Sequence, residues 1–120
     1  MAIPQISFTK NVSIISAHQT CTVNMQVNEN FIEFEARATK NGQPYGRGIG
    51  TLVASMSIAL PNYYLANTNY PFVVTDQNLA SGDGVYRISM YAKNVDGVWS
   101  DAVAFAWDTI TQGWNEGVWL

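Results

Sequence analysis

Apolar and polar residues alternate along much of this chain. Cys21, Val23, Met25 and Val27 alternate with Thr22, Asn24, Gln26 and Asn28, the period-two pattern of a strand with one buried face. After the turn-forming Asn28-Glu29-Asn30, Ile32, Phe34, Ala36 and Ala38 alternate with Glu33, Glu35, Arg37 and Thr39, so the two runs are expected as neighbouring strands. The most regular stretch is residues 85–93. There Tyr86, Ile88, Met90 and Ala92 share a face expected in the core, and Arg87, Ser89, Tyr91 and Lys93 share a face expected in water. Asn94-Val95-Asp96-Gly97 closes this strand, and residues 102–107 complete a hairpin.

Elsewhere the pattern is broken by turn residues. Lys40-Asn41-Gly42-Gln43-Pro44 reverses the chain. Gly46, Gly48 and Gly50 then lead into residues 51–60, read as one or two short strands with a bend or bulge at the glycines. Pro61-Asn62, Asn67-Thr68-Asn69 and Pro71 make residues 63–70 a loop and leave residues 72–75 as a short strand. Strands at residues 6–9 and 12–16 bring the count to about seven or eight, with no helical periodicity, so the expected fold is an all-β antiparallel sandwich.

Composition narrows the function classes. At 120 residues there is room for one hydrophobic core. With 48% apolar and 12% charged residues the chain reads as globular. A net charge of −3, with only six Lys and Arg spread along the chain, speaks against nucleic acid and anionic membrane as partners. So few charges also protect a free surface poorly from association, which suggests that a partner covers part of it. Cys21 is the only cysteine, so no internal disulfide forms and packing must hold the fold. Residues 1–10 lack the basic start and apolar run of a signal peptide, and the most apolar stretch, residues 52–65, is interrupted and too short to cross a bilayer.

The segment Leu79-Ala80-Ser81-Gly82-Asp83-Gly84-Val85-Tyr86-Arg87-Ile88-Ser89-Met90-Tyr91-Ala92-Lys93-Asn94-Val95-Asp96-Gly97-Val98-Trp99-Ser100 resembles the E–F corner, F strand and F–G turn of a fibronectin type III domain. The resemblance implies an Ig or fibronectin type III-like sandwich over residues 1–109, with Leu79 and the ring of Tyr86 in the corner and the Tyr86 hydroxyl tying the corner loop. It covers about a fifth of the chain closely. The B-strand tryptophan typical of that family is absent, and Met25 or Val27 takes its part. Ala36-Arg37-Ala38-Thr39-Lys40-Asn41-Gly42, followed by Gly46-Arg47-Gly48-Ile49-Gly50-Thr51-Leu52-Val53, is similar to Ig-like domains in bacteriophage tail and baseplate proteins. That similarity implies a virion location.

No catalytic set emerges. His18 is the only histidine, so no catalytic triad or zinc set is built around it, and Cys21 alternates with core positions, so its thiol reads as packing. Glu33 and Glu35 share a strand face about 7 Å apart, a spacing open to glycoside hydrolysis, but Arg37 continues the same face and makes a charge ladder the better account. Gly46, Gly48 and Gly50 lack the strand-to-helix context of a phosphate loop. Asp76, Asn78, Asp83 and Asp96 are loop oxygen donors without an EF-hand glycine, although a structural calcium stays open as an alternative. Asn11-Val12-Ser13 fits a glycosylation sequon with no secretory signal to support its use.

The aromatics carry the functional expectation. Trp99, Trp107, Trp114 and Trp119 crowd the last 22 residues, and Tyr63, Tyr64 and Tyr70 fall in the expected loop. Residues 110–120 read as an aromatic arm that docks on a neighbouring subunit through Trp114, Val118, Trp119 and Leu120. The alternative is that this arm folds back on its own sandwich. The expected function is therefore a non-catalytic structural or adhesion subunit of a phage virion or phage-like tail, without cofactor or metal. It would assemble with protein partners as a homo-oligomer or larger assembly. The alternative is a carbohydrate-binding module for a cell-surface glycan, with Tyr63, Tyr64, Tyr70 and Trp99 as the stacking platform.

Overall fold

The computed structural model describes residues 3–10, 21–40, 42–74, 85–108 and 113–115. Every regular element among them is a strand: β1 (Ile6–Lys10), β2 (Cys21–Val27), β3 (Phe31–Lys40), β4 (Thr51–Ser57), β5 (Tyr70–Val74), β6 (Val85–Asn94), β7 (Val103–Asp108) and β8 (Gly113–Asn115). They form two antiparallel sheets, one ordered β1-β2-β5 and the other β4-β3-β6-β7-β8. The alternating runs in residues 21–27, 31–39 and 85–93 all lie in strands, because side chains that alternate in polarity suit a backbone that points them alternately to two sides. β2 and β3 follow each other directly but fall in different sheets, so the turn at residues 28–30 is a crossing between layers and not a hairpin.

Side chains of both sheets meet between them. Ile6, Val23, Met25, Val27 and Val74 of the smaller sheet share one buried cluster with Phe31, Phe34, Ala36, Ala38, Tyr86, Ile88, Met90, Ala92 and Phe105 of the larger. Aromatic pairs bridge the layers: Phe8 with Phe105 at 5.3 Å between ring centres, Phe34 with Phe72 at 5.6 Å and Phe31 with Tyr70 at 5.5 Å. Such pairs add to the area they bury, which matters in a fold without a disulfide. Met25 and Val27 are both fully buried. The Tyr86 ring is buried as well, while Leu79 and the rest of the expected corner lie outside the described residues, as does the expected strand at residues 12–16.

One end of the sandwich is tightly bonded. The β4–β5 connection crosses from the larger sheet to the smaller along residues 28–31: Phe31 and Tyr64 exchange backbone hydrogen bonds, Asn67 N donates to the Val27 carbonyl, and Ala66 N donates to Asn30 Oδ1. Tyr70, expected in the loop, opens β5, and its hydroxyl accepts from Leu65 N. The β6–β7 turn beside it is organised by Asn94, which is 1% exposed. Its Oδ1 accepts from Asp96 N and Val98 N, and its Nδ2 donates to Glu29 Oε1. Asn94→Ala strands two amide donors and is expected to lower unfolding free energy by about 2 kcal/mol. Urea denaturation measures this, and a change within experimental error would show that the turn holds without the side chain.

Candidate binding face on the larger sheet

The outer face of the larger sheet departs most from expectation. Arg87, Ser89 and Tyr91, expected in water, are 5%, 2% and 7% exposed. The β3–β4 connection folds back over this face. Tyr45 stacks on Arg87, whose guanidinium carbon lies 3.7 Å from the ring centre, and Arg87 Nε donates to Ser89 Oγ at 2.8 Å. Ala104 and Ala106 of β7, opposite Ser89 and Arg87, are fully buried on the same side. The glycines read as a strand bend are thus the joints of a covering loop.

The loop is held by a tight turn. Ile49 N donates to the Gly46 carbonyl across four residues, and Gly48, third of the four, has φ +76°, the pattern of a type II turn. Glu35 Oε2 accepts from Gly48 N at 3.0 Å and from Arg37 Nε, while Arg37 Nη1 donates to the Gly50 carbonyl at 3.1 Å. Gly50, at φ +96°, passes so close to β3 that a Cβ there would stand 2.5 Å from Thr39 Cγ2 and 2.6 Å from the Ala38 carbonyl oxygen. No side chain fits at that position. The turn carries Arg47 onto Trp99, 4.2 Å from guanidinium carbon to ring centre, and Lys93 approaches the same ring at 5.6 Å. Lys93 is also paired with Glu33. Glu33 and Glu35 are therefore each engaged by a cation, the arrangement of a charge ladder.

The residues singled out in the sequence fall in separate places. Tyr64 and Tyr70 pack on each other and on Phe31, with ring centres 5.1 to 5.7 Å apart, so they belong to the inter-sheet core. Tyr63 is exposed in the β4–β5 connection, flanked by exposed Leu60 and Leu65. Trp99 stands on the outer face of the larger sheet. The four do not share one platform. Trp114 pairs through its backbone with Trp107, making the first part of the expected arm the edge strand β8, while Val118, Trp119 and Leu120 lie outside the described residues. His18, Asn11, Asp76, Asn78 and Asp83 also lie outside them. Cys21 opens β2, and Asp96 is an exposed turn residue. Among the described residues no three of His, Cys, Asp or Glu gather as a metal site. Sequence reasoning missed Tyr45 and Arg47. The available signal was the pairing of each with a glycine, in Tyr45-Gly46 and Arg47-Gly48, which marks a loop able to fold flat on a sheet.

Burial is the main influence on Tyr91, and it holds the phenol above the ordinary tyrosine value; Ser89 and Arg87 pull the other way, less strongly. The native state therefore favours the neutral phenol. Its contribution to stability is complete below about pH 10 and is lost as pH rises past that point, because the unfolded chain ionises first. A spectrophotometric alkaline titration is expected to show a late-ionising phenol that is missing in Tyr91→Phe, and the wild type should lose stability relative to that variant above about pH 10. Matching stability curves across this range would contradict the sealed face. Compared with models of known families, with characterised proteins and with solved structures, the chain matches none, so the reading of this face rests on its own geometry.

Proposed function

We propose that the chain is a non-catalytic binding module of the Ig or fibronectin type III kind, acting by assembly as a structural or adhesion subunit of a phage virion or phage-like tail. The strand order supports the fold part of this reading. β1-β2-β5 facing β3-β6-β7 corresponds to strands A-B-E facing C-F-G, with β4 added beside C. The resemblance of residues 79–100 to a fibronectin type III hairpin and of residues 36–53 to phage tail domains points the same way.

The observation that carries assembly is the outer edge of β4, along which no strand pairs among the described residues. An unpaired edge strand invites another chain, and proteins usually blunt it with charge, proline or shortness. β5 has Pro71 in its second position, β1 ends in Lys10 and β8 is three residues long. β4 has seven residues with neither charge nor proline. A register shift beside Ala36 is its one irregularity, and residues 54–57 pair regularly with β3. Val53, Ala54 and Met56 pack against the core but are only half-buried, and Leu52 is 45% exposed. A second copy presents the same uncharged strand, and pairing of the two about a two-fold axis would join the larger sheets into one.

Ser55→Lys places like charges opposite each other in such a pair while leaving an exposed position in each monomer. Sedimentation velocity over a dilution series is expected to show reversible association of the wild type and a monomeric Ser55→Lys with an unchanged unfolding midpoint. A wild type that stays monomeric throughout, or a variant that associates equally well, would overturn the reading.

A further inference from the structure

On the covering loop, Arg47 is a cation that no carboxylate neutralises among the described residues. Arg37 is paired with Glu35, Lys93 with Glu33, and Arg87 is buried between Ser89 and Tyr45. Arg47 differs. It is exposed, its contact is the Trp99 ring, and no acceptor among the described residues takes a hydrogen bond from its guanidinium. A guanidinium carries five N–H donors, and contact with an aromatic ring supplies none of them with an oxygen acceptor. The position is also set in advance, because the type II turn that carries Arg47 is bonded through Gly48 N to Glu35 on β3. All three arginines of the chain and one of its three lysines gather on this face, in a molecule whose net charge is −3.

We propose that Arg47 and Trp99, with Lys93 beside them, form a binding site for the carboxylate of an anionic polysaccharide, a uronic acid chain. The planar fork of an arginine matches a carboxylate through two parallel hydrogen bonds. A single unpaired guanidinium suits one monovalent carboxylate per sugar better than a doubly charged phosphate. The Trp99 ring beside the cation offers an apolar surface that suits the C–H faces of sugar rings. An acidic peptide fits less well. Arg47 lies over β3 and β6, interior strands whose backbone groups are already paired on both sides, so a peptide would find no free edge there to add its own backbone bonds. The site is separate from the β4 edge, so either proposal stands without the other.

The test titrates the full chain with polygalacturonate and follows heat release by calorimetry, with two reference polymers. One is methyl-esterified polygalacturonate, which has the same sugar without the charge; the other is polyglutamate, which has the charge without the sugar. Polygalacturonate is expected to bind. Arg47→Ala should weaken it by roughly tenfold or more, and Arg47→Lys, which keeps the charge and loses the fork, should be weakened measurably too. The ester should not bind, and polyglutamate should bind more weakly than polygalacturonate. Absence of polygalacturonate binding, equal binding by Arg47→Ala, or equal binding of polyglutamate would each overturn the assignment. Arg47→Ala also removes the contact with Trp99, so an amide NMR spectrum that changes only near residues 47 and 99 verifies that any loss of binding is local.

Discussion

β3 and β6 are the two longest strands, ten residues each, and their antiparallel ladder runs from Phe31 opposite Asn94 to Lys40 opposite Tyr86. Without a disulfide, the chain must hold this ladder by covering both of its faces. The inner face does so conventionally, with Phe34, Ala36, Ala38, Ile88, Met90 and Ala92 against the smaller sheet. The alanines leave room for the aromatic rings that reach across the layers. Among the described residues no second sheet meets the outer face, and the β3–β4 connection folds over it. Everything distinctive about the molecule follows from how that second cover is made.

A loop rich in glycine cannot seal a polar face with aliphatic bulk. It does so with flat contacts, a tyrosine ring on Arg87 and a guanidinium on Trp99, and with a single carboxylate that fastens both the turn and Arg37. Cation–π stacking shields a guanidinium while leaving its hydrogen-bonding edge unused. Burying Arg87 therefore required a bond to Ser89, whereas Arg47, at the rim, keeps its donors for a ligand. The same economy shapes the edge. The turn draws β4 along β3, the far side of β4 meets no strand among the described residues, and β4 carries no charge to discourage a neighbour.

Much of the strand layout was legible in the sequence, because period-two alternation at Val23, Met25, Val27, Phe34, Ala36, Ile88 and Met90 marks a buried face whatever lies beyond it. The status of the opposite face was not. Arg87, Ser89 and Tyr91 look solvated because polar residues usually are, yet Arg and Tyr carry enough apolar surface to be buried under a ring when their polar atoms find partners. Whether such a cover exists depends on a loop some forty residues away in sequence, which local patterning does not report. The tyrosines failed in the opposite sense. Asn and Pro around Tyr64 signal a loop correctly, whereas Tyr70 opens β5; bonding of the connection to residues 27–31 turns the Tyr64 ring inward onto Phe31 and Tyr70, and of the three Tyr63 stays out. Of the candidate binding site, Trp99 was visible from composition. Its partner Arg47 emerged only when the turn was folded.

The central claim is that the β3–β4 connection lies on the sheet through two arginine–aromatic stacks, and side-chain proton resonances report it most directly. In solution NMR the methylene protons of Arg47 and Arg87 are expected to be shifted strongly upfield by the Trp99 and Tyr45 rings and to show nuclear Overhauser contacts to them. Random-coil shifts for both arginines, with no contact to either ring, would mean that the loop stands off the sheet and that the account of its covered face is wrong.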